Sequence, residues 1–150
     1  MNLQLTEEQQ LLRKSVREFA ESEVRPRARA NDETGKFPRE LFKRAAELGL
    51  TGVAFPEAEG GADFDHLAYT IVIEEISRCC ASLGVILSVQ NSLYCDPLHR
   101  LGTPEQKNRL LIPFARGEKI GCYALTEQPV DGVDVHLWVV TDRPASVYLL

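Results

Sequence analysis

Two neighbouring carboxylates, Glu74 and Glu75, are the first residues in this 150-residue sequence whose types suggest chemistry. Carboxylate pairs serve in general acid–base catalysis. Adjacent residues on a helix point about a quarter-turn or more apart, however, so these two cannot share one substrate proton directly. The spacing therefore predicts a structural role, solvated or ion-paired, and no acid–base pair.

Three consecutive polar residues, Gln90, Asn91 and Ser92, interrupt a stretch that is otherwise apolar and predicted to be helical. Polar side chains inside such a helix need hydrogen-bond partners if they are buried. Two interpretations stay open: hydrogen bonding between helices, or the wall of a ligand pocket.

A polar loop, Thr126–Pro129 with Asp131 and Gly132, directly follows the apolar run Lys119–Leu125. Its hydroxyl and backbone donors could meet an extended cofactor, although turns commonly have this composition. The sequence has no GxGxxG motif and no P-loop, which argues against a Rossmann-type nucleotide site.

The cysteines and histidines give no metal-binding pattern. Cys79 and Cys80 are adjacent, the other two cysteines stand apart in apolar surroundings, and no CxxC pair occurs. Free cysteine commonly behaves as a small buried hydrophobe, so a core role is predicted and no metal site.

Composition excludes several classes of protein. The net charge of -5 comes from mixed signs without a basic stripe, which argues against nucleic acid as a partner. The longest apolar stretch, residues 81–89, is far shorter than the roughly 20 residues of a membrane span. The start of the sequence lacks the features of a signal or transit peptide, so a cytoplasmic location is expected.

Helix signals cover most of residues 6–116 and predict an all-α fold, a helical bundle. Thr6-Glu7-Glu8-Gln9 has the form of a capping box, and Gly102-Thr103-Pro104-Glu105 combines a C-cap, an N-cap and a first-turn proline. Further helices are predicted to begin at Phe37, with Pro38 in the first turn, at about Phe64 and at Leu83. Asn31–Lys36 is predicted to be a loop, residues 53–55 an extended segment, and Lys119–Leu125 the first strand of a new element.

Many short runs in one order make the sequence similar to the acyl-CoA dehydrogenase family over Leu5 to Glu127. The runs include Phe37-Pro38, Glu47-Leu48-Gly49-Leu50, Gly60-Gly61, Glu74-Glu75-Ile76-Ser77-Arg78, Asn91-Ser92-Leu93, Gly102-Thr103-Pro104-Glu105-Gln106-Lys107 and Gly121-Cys122-Tyr123-Ala124-Leu125-Thr126-Glu127. Cys80-Ala81-Ser82 and Lys119-Ile120-Gly121-Cys122 resemble the short-chain, butyryl-CoA branch most.

The resemblance implies an FAD enzyme that removes the α and β hydrogens of an acyl-CoA and passes electrons to electron-transfer flavoprotein, as a homo-oligomer. It also implies an amino-terminal helical domain over residues 1–118 and the start of a truncated β domain over residues 119–150. The implied flavin contacts are Tyr123, Leu125 and Thr126. The implied acyl-cavity residues are Gln90, Leu93 and Tyr94.

The sequence departs from the family pattern after Glu127. Gln128 is an apparent insertion, Val133 stands where the family has a ligand-contacting serine, and residues beyond Asp134 do not resemble the family's β domain. The family's glutamate base belongs to its carboxyl-terminal region, so no catalytic residue is nominated and the chain is expected to be inactive alone. A non-catalytic helical module for packing or partner binding is the alternative, and an unrelated helical bundle a third.

Overall fold

The computed structural model describes residues 4–122, 136–139 and 146–149. Helices dominate the first of these ranges. They are α1 (Glu7–Phe19), α2 (Arg25–Thr34), α3 (Arg39–Glu47), α4 (His66–Ser77), α5 (Ala81–Ser88), α6 (Asp96–Leu101), α7 (Pro104–Gln106) and α8 (Ile112–Ala115), with a 3-10 turn at Glu57–Glu59. The predicted all-α bundle is confirmed.

Three π-helical stretches join helices end to end. Ala20–Val24 connects α1 to α2, Val89–Cys95 connects α5 to α6, and Lys107–Leu111 connects α7 to α8. The chain therefore runs as continuous helix over residues 7–34, 81–101 and 104–115. Wide turns of this kind are rare and occur frequently at functional sites.

The predicted capping box at Thr6 is present, and the predicted N-cap at Thr103 is confirmed. At the start of α1, the Gln9 backbone N–H donates to Thr6 Oγ1 at 3.2 Å, and the Thr6 N–H donates to Gln9 Oε1 at 3.1 Å. Thr103 and Gln106 repeat this exchange at the start of α7. Local donor satisfaction thus places two helix starts where the sequence signal puts them.

Two segments differ from the prediction. Asn31–Lys36 is mostly helical, because α2 continues to Thr34 and ends at Gly35 with φ 61°. This helix buries no side chain, and an Arg29–Glu33 pair at 2.7 Å supports its polar surface. Residues 53–55 form turns, not an extended segment, and Phe55 C=O accepts from the Asp63 N–H at 2.9 Å.

Helix α3 begins at Arg39, two residues after the predicted start at Phe37, so Pro38 does not lie in its first turn. Pro38 is the N-cap, and Gly49, just after the helix, has φ 74°. That left-handed conformation favours glycine, which ends the helix as the sequence indicates.

Two clusters of buried apolar side chains hold the described bundle together. The first joins α1, α3, α4 and α5, and includes Val16, Phe19, Leu41, Phe42, Val72, Ile76, Leu83 and Leu87. The second joins the middle of the 81–101 helix to the last helices, through Phe55, Tyr94, Cys95, Leu98, Leu110, Leu111, Phe114 and Ala115. The stretch Val89–Cys95 is thus packed on its inner side.

Two short strands follow the bundle. β1 (His136–Val139) pairs antiparallel with β2 (Ser146–Leu149), with His136 opposite Leu149 and Val139 opposite Ser146. Of the strand predicted at Lys119–Leu125, residues 119–122 have no regular structure and the rest lies outside the described residues. Among the described helices, none has the length and apolar character that a membrane crossing requires.

Replacing Gly84 by alanine is expected to destabilise the fold by about 1–2 kcal/mol, through overpacking between α4 and α5. A Cβ at this buried position would lie 2.0 Å from Ser77 Oγ and 3.0 Å from Ser77 Cβ. Helix propensity alone favours alanine by about 1 kcal/mol, so the two effects predict opposite signs. Urea denaturation decides between them. In a Ser77→Ala background the cost should shrink, and stabilisation by Gly84→Ala in the wild-type background would contradict the close contact.

Candidate functional site

Asn91 lies buried on the π-helical stretch Val89–Cys95, and its carboxamide oxygen and nitrogen both hydrogen-bond to main-chain groups. Its Oδ1 accepts from the Val53 N–H at 2.9 Å, and its Nδ2 donates to Leu50 C=O at 3.0 Å and to Leu87 C=O at 2.9 Å. Asn91 therefore ties the turn after α3 to the helix of residues 81–101. Polar groups this deep are stable only when bonded in this way.

Gln90, its neighbour, serves a different segment in the same manner. Its Nε2 donates to Phe114 C=O at 2.7 Å and to Lys119 C=O at 3.3 Å, while its Oε1 accepts from the Gly121 N–H at 2.8 Å. The side chain is fully buried. Both carboxamides bond to main-chain groups of other segments, as the first interpretation of the Gln90–Ser92 run expects, and Asn91 and Ser92 also line a groove, as the second expects.

Tyr94 packs against the same segment. Its ring centroid lies 4.4 Å from that of Phe114, and a Cβ added to Gly121 would come within 2.2 Å of Tyr94 Cγ. Leu93, by contrast, is 42% exposed. The three residues predicted to line an acyl cavity therefore differ in location, since Gln90 and Tyr94 face the interior and Leu93 lies at the surface.

A groove of about 340 Å³ lies beside this helix. α4 contributes Tyr69, and the 81–101 helix contributes Ser92, Asp96 and Arg100. The Tyr69 hydroxyl is 3.1 Å from Ser88 Oγ, and Arg100 Nε donates to Asp96 Oδ2 at 2.7 Å. The groove combines apolar walls with hydroxyl and charged groups, which is the usual character of a small-molecule site.

The predicted flavin contacts, Tyr123, Leu125 and Thr126, lie outside the described residues, as do Gln128 and Val133. The last described residues before them are Gly121 and Cys122. The structure thus places the entry to the predicted cofactor segment against Gln90 and Tyr94.

Comparison with known proteins decides the family. The family description "Acyl-CoA dehydrogenase, N-terminal domain" matches residues 6–118. This chain belongs to the acyl-CoA dehydrogenase family.

Several of its relatives are named as short-chain acyl-CoA dehydrogenases. The mitochondrial short-chain specific acyl-CoA dehydrogenase of Bos taurus is 47% identical over 142 residues, which are 95% of this chain and 34% of that protein. The short-chain specific acyl-CoA dehydrogenase of Clostridium acetobutylicum is 48% identical over 134 residues, 89% of this chain and 35% of that one. The chain spans about a third of the length of these curated relatives.

The fold agrees. The structure of butyryl-CoA dehydrogenase from Megasphaera elsdenii superposes with a TM-score of 0.79 at 30% identity, over 93% of this chain and 40% of that one. The helical bundle of residues 6–118 is therefore an acyl-CoA dehydrogenase amino-terminal domain in both sequence and structure.

Within this acyl-CoA dehydrogenase domain, Glu75 has the predicted ion-paired role. Its side chain is 1% exposed, and its Oε1 accepts from Arg17 Nη2 at 2.6 Å and from Arg13 Nε at 2.8 Å. The hydrogen bond from Arg17 outweighs burial and, with Arg13, lowers the pKa of Glu75 from 4.5 to about 2. Glu74 points outward and is 61% exposed.

One polar cluster of the acyl-CoA dehydrogenase domain was not predicted. Glu59, on the turn before Gly60, bonds to His99 of α6, and its Oε1 accepts from Lys107 Nζ at 2.9 Å. Burial would raise the pKa of Glu59, but the bonds from Lys107 and His99 prevail and lower it. The partners lie 40 and 48 residues away in sequence, and no local pattern signals such pairs.

The cysteines of the acyl-CoA dehydrogenase domain match the core prediction only in part. Cys95 is buried, whereas Cys79, Cys80 and Cys122 are partly exposed. No group of three or more potential metal ligands occurs among the described residues.

Cys95 is expected to stay unmodified by iodoacetamide under conditions that fully alkylate Cys79 and Cys80. Burial raises the pKa of the Cys95 thiol, so thiolate and access are both lacking. Mass spectrometry of the labelled peptides measures this. Labelling in urea, where all thiols should react, is the control, and modification of native Cys95 at the rate of Cys79 would show that the second core cluster opens.

Proposed function

We propose that this chain supplies the amino-terminal helical part of an FAD-dependent acyl-CoA dehydrogenase that acts on short-chain acyl-CoA thioesters. The observation that carries the proposal is the family match over residues 6–118, together with relatives named as short-chain enzymes at 47% and 48% identity. FAD, when bound, supplies the electron acceptor for the α,β-dehydrogenation.

The surface of the 81–101 helix supports a role beside an acyl group. Val85 is 61% exposed and Leu93 is 42% exposed, and Ser92 lines the adjoining groove. Such an apolar surface would exclude water from a short acyl chain and limit its length by contact. We assign Leu93 to the acyl wall on this ground.

The roles of Tyr123, Leu125 and Thr126 as flavin contacts belong to the proposal through family resemblance. So do electron-transfer flavoprotein as the electron acceptor and assembly as a homo-oligomer. The family's base is a glutamate of its carboxyl-terminal region, so we also propose that the 150-residue chain alone does not dehydrogenate butyryl-CoA.

A chimera tests the proposal. Residues 6–118 of this chain would replace the matching segment of the clostridial short-chain relative, with the parent enzyme as control. The expected result is a yellow protein that retains flavin absorbance after desalting and oxidises butyryl-CoA with a dye acceptor. A chimera that folds and binds FAD but leaves butyryl-CoA unchanged would overturn the proposed substrate class.

The isolated chain gives the second half of the test. We expect no dye reduction when butyryl-CoA is added, in the presence or absence of excess FAD. Turnover by the pure 150-residue chain would overturn the proposal that it is inactive alone.

A non-catalytic packing module is the second candidate function. It is favoured by the carboxamides of Gln90 and Asn91, whose described bonds all go to main-chain groups. Thermal unfolding with and without butyryl-CoA and FAD separates the two, since a ligand that binds the folded state raises the melting temperature. An unchanged melting temperature together with an inactive chimera would favour the packing module.

A further inference from the structure

Gly121 is held from two directions. Its N–H donates to Gln90 Oε1 at 2.8 Å, and its Cα lies so close to the Tyr94 ring that an added Cβ would come within 2.2 to 2.7 Å of three ring atoms. A residue with any side chain could occupy this position only if the ring moved. Two side chains of one helix therefore fix where the chain passes at residue 121.

Gln90 also closes the turn that leads to Gly121. Its Nε2 reaches the carbonyl groups of Phe114 and Lys119, which flank Gly117 with its φ of 69°. One buried carboxamide thus bonds to three main-chain groups between residues 114 and 121. Asparagine, one methylene shorter, could not span the same three atoms.

The opposite side of the same helix forms the groove wall. Ser92 lines the groove and Leu93 is exposed, while Gln90 and Tyr94 point into the bundle. In the sequence, Gly121 comes two residues before Tyr123, the first of the proposed flavin contacts. The helix is consequently a common support for the acyl wall and for the start of the predicted flavin segment.

We propose that Gln90 is a positioning residue, which sets the segment 119–122 against the helix that carries Ser92 and Leu93 and thereby fixes the spacing between acyl wall and flavin segment. The link between Gln90 and flavin binding rests on the proposed function. The hydrogen bond between Gln90 and Gly121 does not depend on that proposal. Gln90 is fully buried and acts through Gly121.

Amide hydrogen exchange of the ¹⁵N-labelled 150-residue chain tests the contact. In Gln90→Leu, which keeps the volume and removes the polar atoms, exchange at Gly121 is expected to rise about tenfold or more relative to Val53, as for the loss of a buried hydrogen bond. Asn91→Leu is the matched control, because it should raise exchange at Val53 relative to Gly121. Equal changes at both amides in both variants would overturn the inference.

Gln90→Glu provides a second variant with a distinct signature. A carboxylate can still accept from Gly121 but cannot donate to the carbonyl groups of Phe114 and Lys119, whereas a protonated carboxyl accepts from Gly121 and donates its one proton to one of these carbonyl groups. Protection of Gly121 is therefore expected to recover as the pH falls and the new carboxyl takes up a proton. Protection that is independent of pH, or a wild-type Gly121 that exchanges as fast as an unprotected amide, would overturn the inference.

A longer chimera, in which residues 6–122 of this chain replace the matching segment of the clostridial relative, tests the effect on FAD binding, because it keeps Lys119 and Gly121, the partners of Gln90. In this chimera, Gln90→Leu is expected to raise the Kd for FAD about tenfold and to leave the KM for butyryl-CoA nearly unchanged. The reason is that segment 119–122 moves, whereas the helix surface with Ser92 and Leu93 does not. An unchanged Kd despite faster exchange at Gly121 would overturn the positioning role. If the wild-type chimera binds no FAD, the proposed function fails, while the exchange pattern still decides whether Gln90 holds the segment.

Discussion

Replacing Asn91 by leucine is expected to lower the free energy of unfolding by about 3–5 kcal/mol, because buried main-chain groups lose their partner and each costs about 1–3 kcal/mol. The groups are the Val53 N–H and the Leu50 C=O of the turn after α3, with the Leu87 C=O inside the helix. Leucine has a similar volume, so the loss measures the hydrogen bonds more than packing. Urea denaturation followed by circular dichroism gives the value.

Ser92→Ala is the matched control for this experiment. Ser92 is the next residue on the same helix, and its Oγ donates to Ser88 C=O at 2.8 Å at a partly buried site. Its loss should cost no more than about 1 kcal/mol, since water can replace the bond. If Asn91→Leu and Ser92→Ala cost the same, Asn91 does not hold the turn after α3.

Acid is expected to remove stability that Glu75 provides. Its pKa is lowered from 4.5 to about 2 in the folded state, first by the hydrogen bond from Arg17 and then by Arg13. A group with a lowered folded pKa stabilises the fold above its unfolded pKa and loses that contribution as the pH falls through the folded pKa. The loss should therefore run from about pH 4.5 to about pH 2 and amount to roughly 3 kcal/mol.

The difference between wild type and Glu75→Gln isolates this contribution. Glu21 also has its pKa lowered to about 2, by Arg25 and Arg78, so the wild type alone reports more than one group. In Glu75→Gln, stability measured by urea denaturation should fall less steeply over the acid range. Glu74→Gln, at the exposed neighbouring carboxylate, should keep the wild-type dependence. The same pH slope in all three proteins would contradict the assignment to Glu75.

Local signals predicted the helix starts because the interactions responsible are local. Thr6 and Thr103 satisfy backbone donors three residues away, so sequence alone contains both partners. Helix geometry, which is also local, predicted that the side chains of Glu74 and Glu75 point in different directions. The resemblance to acyl-CoA dehydrogenases, which is an observation on many runs together, predicted the family.

Other features could not be predicted because their partners are distant. Asn91 bonds to Leu50 and Val53, about forty positions earlier, and Gln90 bonds to Gly121, 31 positions later. The sequence indicated only that buried amides there need partners. It could not choose between a pocket wall and a bond to a remote main-chain group. The end of helix α2, residues 31–34, was wrongly predicted to be a loop for another reason, since this helix lacks the apolar face on which periodicity depends.

The wide turns at Ala20–Val24, Val89–Cys95 and Lys107–Leu111 have a consequence for length variation along the chain. A turn closed by i→i+5 bonds holds one residue more than an α-turn, so each stretch takes up one additional residue without rotating the helix beyond it. Removing a single residue there would leave the faces of α2, α6 and α8 where they are. The same deletion inside α1 or α4 would rotate every later side chain by about 100°. One-residue insertions and deletions within helices should therefore be tolerated best at these three stretches. When residues are assigned to a helix face from their spacing in the sequence, one residue has to be left out of the count at each stretch.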